Sequence, residues 1–237
     1  MDAAVYATLG RQSGLMREMQ VVANNIANLS TTGYRREGVV FAEHVSRMDA
    51  GPSLSMAHAT GRHIDLAQGG VTQTGGTFDL AIQGEGFFLV QTPQGQMLTR
   101  AGAFTPNGQG ELVTMDGNRL LDEGGAPLFV PAAAGPVSMG ADGTLSAGGR
   151  PLGRVGLWQP SDPKDLTHQK GTLFEAKGGV QPAPDATILQ GFLEDSNVNP
   201  VSEIARMIEV QRAYEAGQAF LDREDNRVRG VIQALGR

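Results

Sequence analysis

The chain has no cysteine, few aromatic residues and no long apolar run, and each shortage excludes a class of protein. Without cysteine among 237 residues, it forms no disulfide and carries out no thiolate chemistry. Aromatic residues make up 5 % of the sequence, so the core consists mostly of small aliphatic side chains. No apolar run approaches the ~18 residues of a transmembrane helix. The opening "MDAAVYATLGRQSG" also lacks the features of a secretory signal. This predicts either a cytoplasmic protein or export by a route that reads no cleaved signal.

Basic residues are also in short supply, whereas glycine is abundant. The chain has 19 basic against 25 acidic residues, a net charge of −6. Because nothing supplies a basic face, a nucleic acid is excluded as a partner. The 33 glycines are about twice the usual ~7 % share, which predicts many tight turns and therefore short strands.

The two ends of the chain have helical periodicity. Residues 3–30 are predicted to form one helix that stops at Thr31-Thr32-Gly33, where glycine can adopt a left-handed conformation. A second helix is predicted to begin at Asn199-Pro200, a capping residue followed by proline. The apolar stripe of the first helix has heptad spacing and comprises Val5, Leu9, Gln12, Met16, Met19, Ala23 and Ile26. The stripe of the second comprises Met207, Val210, Tyr214, Gly217 and Leu221, then Val228, Val231 and Leu235.

Between these helices the pattern changes to short alternating segments. Pro-Gln-Gly, Asn-Gly and Asp-Gly-Asn separate the segments after Phe78, and such turns are typical of hairpins because they require positive φ. The fold class is therefore α+β, with an antiparallel β-rich central domain and terminal helices that pair in a coiled-coil-like domain. The predicted division is 1–35 for the first helix, 36–74 for an extended connector, 75–195 for the β domain and 196–237 for the second helix.

No pattern in the sequence predicts catalysis, a cofactor or a metal site. His58, His63 and Asp65, with His44 nearby, match no common ligand spacing, so solvated surface residues are the better interpretation. The stretch "QGEGFF" resembles part of a phosphate-binding loop. However, no helix start follows it, which favours a turn or bulge between strands. Ser13, Ser30 and Ser196 lack a histidine and a carboxylate in a recognisable setting.

The side of the first helix opposite its apolar stripe carries small residues and amides. These are Ala3, Ala7, Gly10, Gly14, Val21, Asn24, Asn25 and Asn28. Small residues let another backbone approach, and amides can bond across a helix interface. A solvated face with an asparagine-rich end fits the spacing equally well. On the second helix Ile204, Ile208, Ala216, Ala219 and Phe220 lie off the stripe, so both helices need partners on more than one side. We therefore expect the asparagines to belong to an interface between subunits.

Three long stretches resemble the bacterial flagellar rod and hook proteins. "ANNIANLSTTGYRRE" is similar to their N-terminal signature and "GFLEDSNVNPVSEIARMIEVQRAYEAG" to their C-terminal signature. "IDLAQGGVTQTGGTFDLAIQGEGFFLVQ" resembles the segment leading into their β domain. Within the family, "YATLGRQSGLMREMQVVANN" and "AFLDREDNRVRGVIQALG" most resemble proximal rod members, with distal rod and hook-type members as the alternatives. Gly217 departs from the family, where asparagine commonly follows Tyr-Glu-Ala.

The resemblance implies a structural subunit with no enzymatic role. Such proteins pass unfolded through the flagellar type III export apparatus. They then stack helically in the periplasm with copies of themselves and neighbouring rod subunits, inside surrounding ring (bushing) proteins. The resemblance implies no cofactor and no membrane insertion. Together with the back-face residues Gly10 and Gly14, the signatures predict an assembly interface of Asn24, Asn25, Asn28, Gly33, Tyr34, Asn197, Asn199, Glu209, Gln211, Arg212 and Tyr214.

Two other classes of protein, an enzyme and a secreted binding protein, are alternatives to this interpretation. An enzyme requires a pocket with convergent polar groups, and a secreted adhesin or binding module does not require two unpartnered terminal helices. The stripe positions that are Gly, Gln or Ala contribute little burial, so the helices gain too little to offset the entropy of ordering them without partners. We therefore expect an isolated chain with a folded β domain and poorly ordered ends.

Overall fold

The computed structural model describes residues 2–46 and 54–235, with side chains throughout except at residues 2–4, 6 and 41–60. The fold is α+β, as the sequence predicts. The chain divides into two compact units: one contains residues 1–27, 37–63 and 199–237, and the other contains residues 28–36 and 64–198. No described helix is both long and apolar enough to span a membrane.

The first unit contains two helices and a two-stranded sheet. Helix α1 spans Asp2–Ala27 and helix α2 spans Pro200–Leu235. The strands are β1, Glu37–Ser46, and β2, Leu54–Ile64, which pair with each other. The segment 36–74, predicted to be an extended connector, thus contains this strand pair. Its residues show no clear alternation of apolar and polar types, so the sequence did not predict the strands.

The second unit consists of short antiparallel strands. A nine-stranded sheet has the order β14-β15-β6-β5-β9-β8-β7, and β13 joins it through β5 and also pairs with β16. Smaller sheets have the orders β10-β11-β12, β17-β4 and β18-β3. The strands are β3 Val71–Gln73, β4 Leu80–Gln83, β5 Phe87–Thr92, β6 Gly95–Thr99, β7 Phe104–Pro106, β8 Leu112–Thr114, β9 Arg119–Leu120, β10 Val137–Met139, β11 Thr144–Ala147, β12 Arg150–Arg154, β13 Leu157–Pro160, β14 Leu166–His168, β15 Leu173–Ala176, β16 Val180–Pro182, β17 Thr187–Gln190 and β18 Phe192–Glu194.

Strand β5 organises the core of this unit because it is buried on both faces. Phe88 and Val90 belong to one hydrophobic cluster, and Phe87 and Leu89 belong to another. This alternation follows from the period of two in a strand, which sends successive side chains to opposite faces. The ring of Phe88 lies edge-on to Phe104, with centroids 5.3 Å apart.

The turn signals of the sequence lie where tight turns occur. Gly117, between β8 and β9, has φ of +82°, and Gly143, at the end of the turn that leads into β11, has φ of +86°. Residues 84–86 connect β4 to β5, which confirms that "QGEGFF" is a turn between strands.

Helix α2 is longer than α1, and its last eleven residues have no buried side chain. It contains 36 residues, about 54 Å of helix. Glu203 and Val210 are its buried residues, and every described side chain from residue 225 to 235 is exposed. Earlier in α2, Arg206 and Tyr214 bond to α1. Within α2, the expectation of poorly ordered ends therefore applies chiefly to residues 225–235, whose side chains are exposed.

We therefore expect the end of α2 to open before the rest of the helix. Limited trypsin digestion of the isolated chain should cut after Arg227 and Arg229 well before it cuts after Arg206 or Arg212. The reason is that an uncovered helix end frays, whereas packing protects the earlier turns. Mass spectrometry of a digestion time course gives the order of cleavage. Equal rates at all four arginines would show that α2 opens as one piece.

Candidate assembly interface

Helices α1 and α2 contact each other through polar bonds as well as apolar burial. The side-chain amide of Gln12 donates to the main-chain oxygen of Tyr214 at 2.9 Å. Arg206 donates through Nε to Glu18 at 2.6 Å, and through Nη1 to Glu209 at 2.8 Å. Although burial acts to lower the pKa of Arg206, its hydrogen bonds to Glu18 and Glu209 raise it overall.

Gly217 allows α2 to approach the Gln12 side chain. A Cβ at position 217 would lie 2.5 Å from the Gln12 amide nitrogen and 2.9 Å from its carbon. Any larger residue would push this side chain away from Tyr214. The departure from the family pattern at Gly217 thus corresponds to a close approach between the helices.

The buried face of α1 coincides only in part with the predicted stripe. Of the stripe residues Gln12 is buried, whereas Leu9 is 48 % exposed, Met16 is 42 % exposed and Ala23 is exposed as well. The buried face also includes residues from the predicted back face, and comprises Gln12, Gly14, Leu15, Glu18, Val21, Val22 and Asn25. The physical reason is that α1 also contacts β1, a strand that the sequence did not predict. Its small and amide residues are therefore used inside the chain, and its most apolar edge remains exposed.

Asn25 is the centre of a polar cluster in the first unit. It is fully buried, and its amide nitrogen donates to the main-chain oxygen of Glu37 at 2.8 Å and to the Glu203 carboxylate at 3.0 Å. Its amide oxygen accepts from the main-chain nitrogen of Glu37 at 3.0 Å. One side chain thus joins the end of α1, the start of β1 and the first turn of α2. These three bonds engage Asn25 within its own chain, and its place in an interface between subunits stays a prediction.

Asn197 has the corresponding position in the second unit. Its amide oxygen accepts from the main-chain nitrogen of Arg36 at 2.6 Å. Its amide nitrogen donates to the main-chain oxygens of Asp65 at 3.0 Å and Ala67 at 2.8 Å. Its main-chain nitrogen donates to the oxygen of Tyr34 at 3.3 Å. Asn197 therefore ties together three separate passes of the chain.

A buried charge cluster lies beside Asn197. The carboxylate of Glu194, with no exposed surface, accepts from Arg35 Nη1 at 2.7 Å and from Arg100 Nη1 at 2.9 Å. Burial lowers the pKa of Arg100 to about 10, against the attraction of Glu194, and burial likewise lowers the pKa of Arg35. Both guanidinium groups therefore share the Glu194 carboxylate. Sequence reasoning missed this cluster, because its members are far apart in the chain and no periodicity connects them.

The other predicted site residues fall into two groups. Some are used within the chain: Asn28 accepts a bond from the Thr31 hydroxyl at 3.0 Å, and Asn199 caps α2 by accepting from Val201 and Ser202. Tyr34 and Gly33 are buried, and Tyr34 lies edge-on to His168. Gly10 is partly buried, as is Tyr214, whose hydroxyl accepts from Gln218. The second group is exposed and comprises Asn24, Glu209, Gln211 and Arg212.

Exposed apolar side chains on the two helices complete the candidate surface. On α2, Ile204 is 51 % exposed, Ile208 46 % and Phe220 37 %. The end of α2 adds Val228, Val231, Ile232 and Leu235 at helical spacing. Within the described part of the chain, no group of three His, Cys, Asp or Glu residues could hold a metal ion. Packing is therefore the chemistry that this surface offers.

The Asn25 cluster leads to a test on the full chain. Asn25→Leu should lower the stability of the first unit by about 2–4 kcal/mol, because buried main-chain groups of Glu37 lose their partners. Far-UV circular dichroism follows the helices during unfolding, and the fluorescence of Trp158, the single tryptophan, reports on the second unit. Asn24→Leu, at the exposed neighbouring position, is the control. An unchanged helical transition in Asn25→Leu would show that the amide does not hold the unit together.

Comparisons with known proteins agree with this architecture. Residues 6–35 match the model "Flagella basal body rod protein", and residues 81–147 match "Flagellar hook protein FlgE/F/G D1 domain". Residues 189–233 match "Flagellar basal body rod FlgEFG protein C-terminal". The chain is 41 % identical to the flagellar basal-body rod protein FlgF of Caulobacter vibrioides, covering 100 % of this chain and 99 % of the relative. It is 37 % identical to FlgF of Mesorhizobium japonicum, with the same coverage, and 30 % identical to FlgG of Bacillus subtilis over 99 % of this chain and 98 % of the relative. The chain belongs to the family of flagellar basal-body rod proteins.

Proposed function

We propose that this chain is a structural subunit of the flagellar rod, at the proximal position, and that it assembles helically with copies of itself and with neighbouring rod subunits. The observation that carries the proposal is the exposure of apolar helix edges together with full-length similarity to FlgF proteins. FlgG-type relatives make a distal rod position the second candidate. In either position the subunit works by packing, without a catalytic step.

The exposed edges explain why such a subunit polymerises. Leu9 and Met16 on α1, and Ile204 and Ile208 on α2, lie in water in the single chain. Burying a large aliphatic side chain stabilises by about 1.5–3 kcal/mol, so four of them favour association by several kcal/mol before its entropic cost. We propose that the helices pair in a coiled-coil-like manner within the subunit and that these edges pack against neighbouring subunits.

The remaining partners and the location follow from the same proposal. As a rod protein, the chain would pass through the flagellar type III export apparatus and take its place in the periplasm, inside the ring proteins that surround the rod. Asn24, Glu209, Gln211 and Arg212, which are exposed on the same two helices, would add polar contacts at the edge of the interface.

Introducing a charge into the exposed apolar edge should abolish assembly but leave the monomer folded. Ile208→Asp and Leu9→Asp change exposed side chains, so monomer stability should stay within about 0.5 kcal/mol. A carboxylate buried between subunits is strongly unfavourable, so these variants should be missing from purified basal bodies and their strains should not swim. The control is Met115→Asp in the second unit, where the side chain is 88 % exposed and lies outside the helices. Normal rods containing Ile208→Asp and Leu9→Asp would contradict the proposed interface.

A further inference from the structure

Residues 33–36 belong to the second unit, but in the sequence residues 37–63 of the first unit separate them from the remainder of it. The segment precedes β1, whereas the remainder of the second unit begins at Ile64. Tyr34 and Arg35 are each 1 % exposed, so the segment is fully docked in this structure. Its docking involves Glu194 at two points: the carboxylate accepts from Arg35, and the main-chain oxygen accepts from Gly33 N at 2.7 Å.

The Glu194 carboxylate, which receives Arg35, has a hydrogen-bond partner on each oxygen besides Arg35. One carboxylate oxygen of Glu194 already accepts from the main-chain nitrogen of Gly69 at 2.9 Å, and the other accepts from Arg100. Arg100 is itself held by the oxygens of Ile82 and Gly84, and its guanidinium lies over the Phe87 ring, 5.3 Å from the centroid. All of these partners belong to residues 64–198. Glu194 is therefore neutralised and oriented whether or not the segment is docked.

The docked Arg35 side chain gains some favourable bonds and also meets unfavourable conditions. The guanidinium gains Glu194 and the oxygen of Ala67, at 2.5 Å. Its Nε and Nη2 atoms are buried and have no acceptor among the described residues. It also brings a second cation to the Glu194 carboxylate, and burial lowers the pKa of Arg35 even though Glu194 and Asp65 both attract it. When the segment leaves, water can satisfy the free donors of Arg35.

Gly33 sets a steric condition on docking. Its φ is +70°, and a Cβ there would lie 2.3 Å from the nitrogen of Ala101 and 2.4 Å from the carbonyl carbon of Arg100. These are main-chain atoms of the second unit, so they cannot move aside cheaply. Only glycine at this position lets the segment lie against the sheet.

We propose that residues 33–36 form a latch, a segment that docks reversibly on an already folded β unit with the Glu194 carboxylate as its socket. The undocked state leaves the sheets and the Arg100–Glu194 pair intact. The docked state orders the N-terminal signature against the C-terminal one. Docking determines when a subunit presents its N- and C-terminal signatures in an ordered state for assembly. This role of the latch rests on the proposed rod function.

The test uses the full chain and two variants that open the latch by different means. Arg35→Glu repels the Glu194 carboxylate, and Gly33→Ala removes the space for docking without changing any charge. Hydrogen exchange with mass spectrometry follows the amides of residues 33–36, and Trp158 fluorescence follows thermal unfolding of the second unit. In both variants, exchange of these amides should become at least about tenfold faster, while the unfolding temperature should fall only by the few degrees that loss of the docking contacts costs.

Two comparison variants define what each outcome means. Arg150→Glu makes the same charge change at an exposed position of the second unit and should alter neither readout. Arg100→Gln leaves Glu194 without its sheet-anchored partner and should lower the unfolding temperature strongly. If Arg35→Glu and Gly33→Ala lower that temperature as much as Arg100→Gln does, the segment is part of the core and the latch is refuted. Unchanged exchange at residues 33–36 would refute it equally. Neither readout depends on rod assembly, so a failure of the rod proposal would be seen separately.

Discussion

The carboxylate of Glu194 is the interaction on which the second unit depends most. It is fully buried, it is shared by Arg35 and Arg100, and its own main-chain oxygen binds Gly33. A buried ion cluster is costly to form and far more costly to break on one side, because removing the single anion leaves two cations without compensation. The Arg100–Glu194 pair therefore joins β18 to the residues that follow β6, and Arg35 adds to this pair from the segment before β1.

The first unit uses the same principle with a neutral group. The side-chain amide of Asn25 bonds to the main-chain nitrogen and oxygen of Glu37 and to the carboxylate of Glu203. It thereby joins the two helices of the first unit, as the Glu194 carboxylate joins segments of the second unit. An amide is suited to this position because it donates and accepts at once, which a leucine or an aspartate cannot do. Asn25 thus occupies the end of α1, despite its poor helix propensity, because of bonds within the chain.

Prediction from the sequence was good where the signal is local and poor where it is not. The cap at Asn199 and the hairpin turns at Gly117 and Gly143 depend on the conformational preferences of one or two residues, and they are found. Gly33 has the predicted positive φ, but α1 ends at Ala27, before the predicted end at residue 30. The strand pair β1–β2 was missed because its residues show no clear alternation of apolar and polar types. Without β1 the sequence could not show that Gly14 and Asn25 are buried in the single chain, whereas Leu9 and Met16 are exposed. The Glu194 cluster could not be predicted, since nothing local connects its members.

The bond between Asn25 and Glu203 closes a loop of 178 residues, and this separation has a kinetic consequence. Contacts between residues so far apart form slowly, because the entropy of closing the loop is lost before the contact returns any stabilisation. The hairpins of the second unit, with partners a few residues apart, can form independently of the chain ends. The helix pair must wait for both ends to be present and free. During that interval α1 has only β1 as a partner from its own chain, and the face that later contacts α2 is open to other binding partners. The order in which this protein folds is therefore set by the distance along the chain between its two signatures.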